Sequence, residues 1–375
     1  MKIVIASDSF KGSMTSLDVA TAASAGVAEV YPDSEIVAVN VADGGEGTVE
    51  AIVDALGGEI VKVKVSDPLG REIETYYGIA GETAILEMAA ASGLPLLKVE
   101  ERNPWLTSTY GTGEIIMDAI ARGCRQFLVG IGGSATNDAG IGMLQAMGFR
   151  FYDSDDQLIM SGNGGVLSRI ARIDDSLVSE AVKSSVFMVA CDVDTPFCGP
   201  EGAAPVFAPQ KGADAEIVKR LDEGMASLAK VIAEKYAIDI VPVAGAGAAG
   251  GMGGAFRAFL GATLKKGIDM VLDAIDFDTT IQGANLVITG EGKVDFQTAK
   301  GKTAAGVLNR AKKQHIPVVA IGGCVEMCDS LVQMGFAGIY PILEEKVPLE
   351  VAMQREFAMS NVTKTVARIL SSGAC

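Results

Sequence analysis

The chain has 375 residues, about twice the usual domain length, so two domains are the expectation. Hydrophobic residues make up 49% and charged residues 21%, enough for packed cores and too apolar for a disordered chain. A formal net charge of −16 without any basic run argues against nucleic acid or anionic lipid as partners, and it leaves carboxylates available for Mg²⁺.

The N-terminal MKIVIASDSF enters a strand pattern directly and shows no cleavage signature, so no signal peptide is expected. No apolar stretch reaches the ~20 residues of a membrane span. The six cysteines (Cys124, Cys191, Cys198, Cys324, Cys328, Cys375) have no zinc or disulfide spacing and read as reduced thiols of a cytoplasmic protein. The one histidine, His315, stands where a helix gives way to a strand and reads as a surface residue. That count disfavours Ser-His-Asp hydrolysis and histidine-bound metals together.

Short apolar runs ending in glycine or acids alternate with longer helical patterns, the signature of βα units and a parallel sheet. In chain order the spacing predicts strands at Lys2–Ser7, Ile36–Ala42, Phe127–Ile131, Val186–Cys191, Leu286–Thr289, Val318–Ile321 and Gly338–Ile342. Helical periodicity predicts Ser16–Glu29, Thr48–Leu56, Glu114–Ala121, Ile217–Lys235, Thr303–Lys313 and Pro348–Leu370. Between Ile60 and Ala90 two-residue alternation, interrupted at Pro68-Leu69-Gly70 and at Gly81, predicts antiparallel hairpins instead. The simplest architecture is α/β with two unlike domains. Residues 1–62 and 283–375 would build a doubly wound parallel sheet, residues 63–282 a mixed α/β insertion, and the active site would lie in the cleft between them.

In an open parallel sheet, ligands bind beyond the carboxyl ends of the strands. Five unusual segments fall there: Ser7-Asp8-Ser9-Phe10-Lys11-Gly12-Ser13, Asp43-Gly44-Gly45-Glu46-Gly47-Thr48, Gly132-Gly133-Ser134-Ala135-Thr136-Asn137-Asp138-Ala139-Gly140, Cys191-Asp192-Val193-Asp194 and Gly290-Glu291-Gly292-Lys293-Val294-Asp295. Glycine lets backbone N–H groups face an anion, a following helix N-terminus adds positive partial charge, and carboxylates at the same edge can hold Mg²⁺. Any one such loop could be a capped turn; five on one edge are hard to explain that way. The densest glycine run, Gly245 to Gly254, reads as a phosphate cradle including Gly247, Gly250 and Gly251, with tight helix packing or a mobile hinge as the alternatives.

Gly301-Lys302-Thr303 resembles the end of a phosphate-binding P-loop, but Phe296 stands where that motif needs glycine. No dinucleotide fingerprint follows the first strand, and protein-kinase motifs are absent. Lys11, Lys211, Lys293 and Lys302 each lie beside glycine in the candidate loops and could pair with phosphate or a substrate carboxylate. Gln210, Gln297 and Thr298 are further polar candidates, whereas Arg71 reads as a hairpin tip and Trp105 as packing.

Together the segments SDSFKGSMTS, VADGGEGT, SDPLGR, STYGTGE, GIGGSATNDAGIGML, CDVDTPFCG, FAPQKGA, GAGAAGGMGGA and LVITGEGKVDFQTAKGK resemble the bacterial type 1 glycerate kinase family, in that family's order. Lys293 stands where the family often has Arg, and Ala139 where a second Gly is common; neither change removes a charge or a ligand. The resemblance implies two unlike α/β domains, one flavodoxin-like, and an ATP-dependent, Mg²⁺-requiring kinase that phosphorylates the 2-hydroxyl of D-glycerate.

For that chemistry Asp192 is the first choice as general base, with Asp8 and Asp194 as the others, and Lys11 and Lys211 complete the catalytic set. Ser9, Lys11, Asp43, Lys293 and Gln297 are the expected substrate contacts. Gly132, Gly133, Ser134, Thr136 and Asn137 join Gly247, Gly250 and Gly251 in holding the nucleotide. Asp43, Glu46, Asp138, Asp194 and Glu291 are the expected metal-organising acids. A monomer or homodimer is expected. The competing readings are a kinase for another small hydroxy acid or polyol, a non-catalytic nucleotide or sugar-acid sensor, and a flavin protein.

Overall fold

The computed structural model describes residues 1–45, 47–343, 345 and 347–373, with the backbone alone at Lys300. Among these, the strands in chain order are β1 (Lys2–Ser7), β2 (Glu35–Asn40), β3 (Glu59–Ser66), β4 (Glu72–Ala80), β5 (Thr83–Glu87), β6 (Gln126–Gly130), β7 (Arg150–Tyr152), β8 (Arg172–Asp174), β9 (Val186–Ala190), β10 (Thr263–Lys265), β11 (Leu286–Val294), β12 (Val318–Val325) and β13 (Gly338–Pro341). The chain is α/β and divides into two compact units. One comprises Met1–Asp43, Asp54–Leu56 and Ile268–Cys375, the other Gly44–Val53 and Gly57–Gly267.

The lasting entry into the second unit, at Gly57, and the return to the first, at Ile268, thus fall earlier than the 62 and 283 read from the sequence. β3 goes with the second unit because its whole length pairs antiparallel with β4, from Glu59↔Ile79 to Ser66↔Glu72. The segment after 267 goes with the first because Ile268, Leu272 and Phe277 enter that unit's core beside Val4 and Val307.

In the first unit five parallel strands lie in the order β13-β12-β11-β1-β2. Counted within the unit this is 2-1-3-4-5, a doubly wound order whose direction of winding reverses between β1 and β11. β1, sequence KIVIAS, is apolar on both faces and needs helices on both sides. Helices Ser16–Val30 and Arg355–Ser371 cover Ile3 and Ile5 on one face; helix Thr303–Lys313 covers Val4 and Ala6 on the other. A capping box starts the first of these helices: Thr15 Oγ1 accepts from Asp18 N (3.2 Å), and the Asp18 carboxylate accepts from Thr15 N (3.1 Å). Arg355 donates to the same carboxylate through Nε (3.0 Å), pins the two helices together, and holds the Asp18 carboxyl down to about 2.

Two elements depart from the sequence pattern. β11 continues past Thr289 to Val294, because Glu291↔Gly322, Lys293↔Cys324 and Val294↔Val325 extend the parallel pairing through residues that read as a loop. The single helix expected over Pro348–Leu370 is two, Leu349–Ala352 and Arg355–Ser371, broken at Met353-Gln354.

The second unit holds a mixed sheet in the order β10-β9-β6-β5-β4-β3, antiparallel from β3 to β5 and parallel from β5 to β10. Both hairpins expected between Ile60 and Ala90 are present. In the first, Asp67 Oδ1 accepts from Leu69 N (2.8 Å) and Arg71 N (2.9 Å), while Gly70 takes φ +81°. The second turns at Gly81, φ +60°, between Ala80 and its partner Thr83. Phe127 and Phe187 stack at 4.7 Å in the core beneath the parallel strands. A separate antiparallel pair, β7 with β8, completes the unit. Among the described residues no helix is long and apolar enough to cross a membrane.

Gly26 sets the closeness of the two helices in the first unit. A Cβ there would collide with the Thr363 carbonyl oxygen and lie 3.0 Å from Val366 Cβ. Gly26→Ala should therefore overpack the contact and lower stability by about 1–3 kcal/mol in denaturant unfolding. A change below about 0.5 kcal/mol, the level of an ordinary surface substitution, would contradict this packing.

Candidate active site

In the first unit β1, β11 and β12 end on a cavity of about 750 Å³. Its polar side carries Asp8, Ser9, Lys11, Asp43, Glu291 and Lys302, with Lys293 at the same edge. Asp8 follows β1, Asp43 follows β2, and Glu291 stands on β11, so the winding reversal itself gathers the three acids.

Asp8 is buried, and its carboxylate is fixed from two sides. Oδ1 accepts from Ser9 N at 2.7 Å, and Oδ2 accepts from Thr303 Oγ1 at 2.9 Å. Glu291, also buried, accepts from Ala304 N at 3.4 Å. Both donors belong to the first turn of helix Thr303–Lys313, whose N-terminal N–H groups favour negative charge. That support does not offset desolvation. Burial, and then the Asp43 charge, push the Asp8 carboxyl up to about 6. Burial raises Glu291 to about 7, with Asp8 and Asp43 adding to the rise and Lys302 opposing it.

The lysines differ. Lys11 is exposed at the tip of a tight loop closed by Phe10 N to Met14 O (2.9 Å), where Gly12 supplies φ +78°. Lys302 is half-buried and precedes the helix. Lys293 is held by Glu326 (2.9 Å) and Asp295 (3.3 Å). Gln297 is exposed on the turn after β11, where its backbone N–H donates to Asp295 Oδ1 (2.8 Å), and it does not line the cavity.

The second unit collects a different set. Asp138 is fully buried, and four donors occupy its carboxylate: Thr109 N (2.8 Å), Thr109 Oγ1 (2.7 Å) and Gly142 N (3.2 Å) on Oδ2, and Gly140 N (3.1 Å) on Oδ1. Burial raises its pKa while those bonds oppose the rise. The metal-organising part expected of Asp138 does not fit such an enclosed carboxylate, which ties the start of the helix Ile141–Ala146 to the Thr109 loop.

Lys211 is buried too. Its Nζ donates to Ser134 Oγ (2.7 Å) and the Thr136 carbonyl (2.6 Å), and desolvation lowers its pKa to about 7 against the pull of Asp138. Its side chain therefore grips the loop after β6. Within that loop Ser134, Thr136 and Asn137 are buried, and Asn137 Nδ2 lies 3.2 Å from Met225 Sδ. Only Gly132 and Gly133 are exposed.

The remaining expected residues are scattered through that unit. Asp192 is exposed beyond β9, with Oδ1 accepting from Gly267 N at 3.0 Å, and Asp194 is exposed nearby. The run Gly245–Gly254 is buried and packed on protein. Gly250, φ +68°, faces the Thr136–Asn137 backbone, Gly251 faces Met225 and Ala139, and Gly247 faces Pro196. Tight packing, one of the alternatives weighed from the sequence, is what this run shows. Glu46 and Cys375 lie outside the described residues. Among the described residues no three His, Cys, Asp or Glu side chains gather closely enough to hold a metal ion by themselves. His315 is exposed at a helix end with φ +58°. Trp105 packs under Arg220, 4.1 Å from the ring centroid, and Arg71 is paired with Asp67 and Glu101.

Two features escaped the sequence. Thr303 holds Asp8, and its only signal was the Gly301-Lys302-Thr303 tripeptide, set aside because Phe296 breaks the P-loop pattern. Much of the cavity's apolar lining, including Ile342, Leu343, Leu349 and Met353, comes from a tail without distinctive motifs.

The Glycerate kinase family matches this chain over residues 3–372. Glycerate kinases of Haemophilus influenzae and Bacillus subtilis are each 44% identical over 375 residues, covering 99% of this chain and 99% and 97% of theirs. A glycerate 2-kinase of Escherichia coli is 44% identical, with 98% of each chain covered. A crystal structure assigned as glycerate kinase 2 from Salmonella typhimurium LT2 superposes with a TM-score of 0.91 at 42% identity, covering 100% of this chain and 99% of that one. With agreement of this extent over both units, the chain belongs to the glycerate kinase family and is a kinase.

Proposed function

We propose that this chain is a cytoplasmic enzyme that transfers the terminal phosphoryl group of ATP to the 2-hydroxyl of D-glycerate, giving 2-phosphoglycerate and ADP. The observation that carries this reading is the meeting of Asp8, Asp43, Glu291, Lys11 and Lys302 around one cavity at the reversal of a doubly wound sheet. Phosphoryl transfer asks the protein for alignment and charge neutralisation rather than covalent chemistry, and these groups are of the kinds it needs.

Asp8 suits the general base better than Asp192. It is buried, oriented by Ser9 and Thr303, and raised to about 6, close to an ordinary working pH. Asp192 is exposed and spends one oxygen on Gly267. In this reading the Asp8 carboxylate takes the proton of the attacking hydroxyl. Lys11 and Lys302 pair with the glycerate carboxylate and the moving phosphoryl group.

The acids fit Mg²⁺ in its usual manner, one or two carboxylates completed by substrate phosphate oxygens and water, and not as an all-protein cage. Asp43 and Glu291 are the residues that would hold it. When bound, Mg²⁺ would neutralise developing charge on the phosphate oxygens. In the second unit Gly132 and Gly133 offer exposed backbone at the head of the loop that Lys211 grips, whereas the run around Gly250 is buried.

Three outcomes test this. Phosphorus NMR of the product from D-glycerate and ATP should show 2-phosphoglycerate; 3-phosphoglycerate or no transfer would contradict the proposal. Asp8→Asn should lower kcat by about a hundredfold or more. The wild-type kcat/KM should fall as pH drops through about 6, where Asp8 becomes protonated. Because its folded pKa lies above the ordinary 3.8, Asp8 costs stability as pH rises between those values. Asp8→Asn should therefore raise the thermal midpoint at pH 8 more than at pH 4, and an equal shift at both would refute the sign. Lys211 behaves oppositely, since the unfolded chain binds its proton between about 7 and 10.5 while the folded one does not. Its contribution to stability rises over that range, and Lys211→Met should flatten the rise in melting scans; an unchanged slope would show that its ammonium is not desolvated.

A further inference from the structure

The cavity is too large and too apolar for a three-carbon acid alone. At about 750 Å³ it falls in the range of sites for drug-sized ligands. D-Glycerate carries a polar group on every carbon and gains nothing from hydrocarbon. Yet the same lining holds Phe10, Val325, Ile342, Leu349 and Met353, an apolar wall. Leu349 is 74% exposed and Met353 37%, apolar surface left facing water.

We propose that this wall seats the nucleoside of the phosphoryl donor, so that the first unit carries the nucleotide from base to phosphate. The inference rests on the preceding reading that the donor is a nucleotide. A nucleoside joins a flat apolar base to an anionic tail. The cavity's lining has the same two characters, hydrocarbon together with lysines and metal-suited acids. Ser13 lines it as well, and its buried Oγ finds no hydrogen-bond partner among the described residues. Leaving a buried hydroxyl unpaired is costly, and a base edge or ribose hydroxyl would satisfy it. The break at Met353-Gln354 gives the tail its place in the wall. It lets Leu349–Ala352 turn away from helix Arg355–Ser371, and a Cβ on Gly12 would lie 2.8 Å from Met353 Cε. The wall is thereby seated on the same tight loop that presents Lys11.

The test is equilibrium binding to the full chain by calorimetry, using Mg-ADP, adenosine and inorganic tripolyphosphate as separate probes. Wild type should bind Mg-ADP, and adenosine should compete with it. Leu349→Glu and Met353→Glu, which set a carboxylate into the wall, should weaken ADP at least about tenfold while tripolyphosphate changes less than about twofold. Leu349 is exposed, so Leu349→Glu decides the matter should Met353→Glu not fold. ADP binding equal to wild type overturns the proposal, as does an equal loss of ADP and tripolyphosphate. Turnover of D-glycerate with ATP is measured in parallel on the wild type. Turnover without the binding contrast removes the wall alone; the contrast without turnover keeps the wall and removes the catalytic reading; absence of both turnover and ADP binding removes both.

Discussion

Three carboxylates gathered at one sheet edge, two of them buried, are the constraint around which the first unit is arranged. Parallel strands in the order β13-β12-β11-β1-β2 bring the ends of β1 and β2 and the extension of β11 to the same edge, so Asp8, Asp43 and Glu291 meet whatever their separation in sequence. Burial shifts both Asp8 and Glu291 upward, and the neighbouring negative charges add to the rise. What keeps them in place is the start of helix Thr303–Lys313, through Thr303 Oγ1 to Asp8 and Ala304 N to Glu291. Helices packed on both faces of β1 hold that geometry. Stability given up at such an edge is a usual mark of a site kept for chemistry.

The second unit solves a different problem with the same residue types. A buried carboxylate with four donors and a buried ammonium with two acceptors hold loops still. The glycines between Gly245 and Gly254 serve contact too, letting backbone meet backbone at Thr136–Asn137. The open part is the pair Gly132 and Gly133, supported from behind by everything Lys211 grips.

Much of this was legible in the sequence where the signal was periodic. Helices Thr48–Leu56 and Thr303–Lys313 follow their apolar spacing to the residue, and the hairpins follow from Gly70 and Gly81. Composition was the weaker guide. GEGKV reads as a loop by its glycines and charges, yet continues β11, because partner strand β12 supplies the register and sequence does not display partners. The glycine run near Gly250 and the acid Asp138 look like ligand contacts for a related reason: glycine needed for close packing and glycine needed for an anion are the same letter, and burial decides between them. Asp8, Lys11, Asp43 and Glu291 could be placed at one edge because strand ends are predictable. Thr303 was passed over, and the apolar wall was invisible because its residues carry no chemistry of their own.

The most direct test of the acidic cluster is a carboxyl-carbon NMR titration of Asp8 and Glu291 in the wild-type chain and in Asp43→Asn. The expected midpoints are about 6 for Asp8 and about 7 for Glu291, and both should fall in the variant, since the Asp43 charge raises each of them. Ordinary carboxylate midpoints, unmoved by Asp43→Asn, would mean that these acids do not form one coupled group.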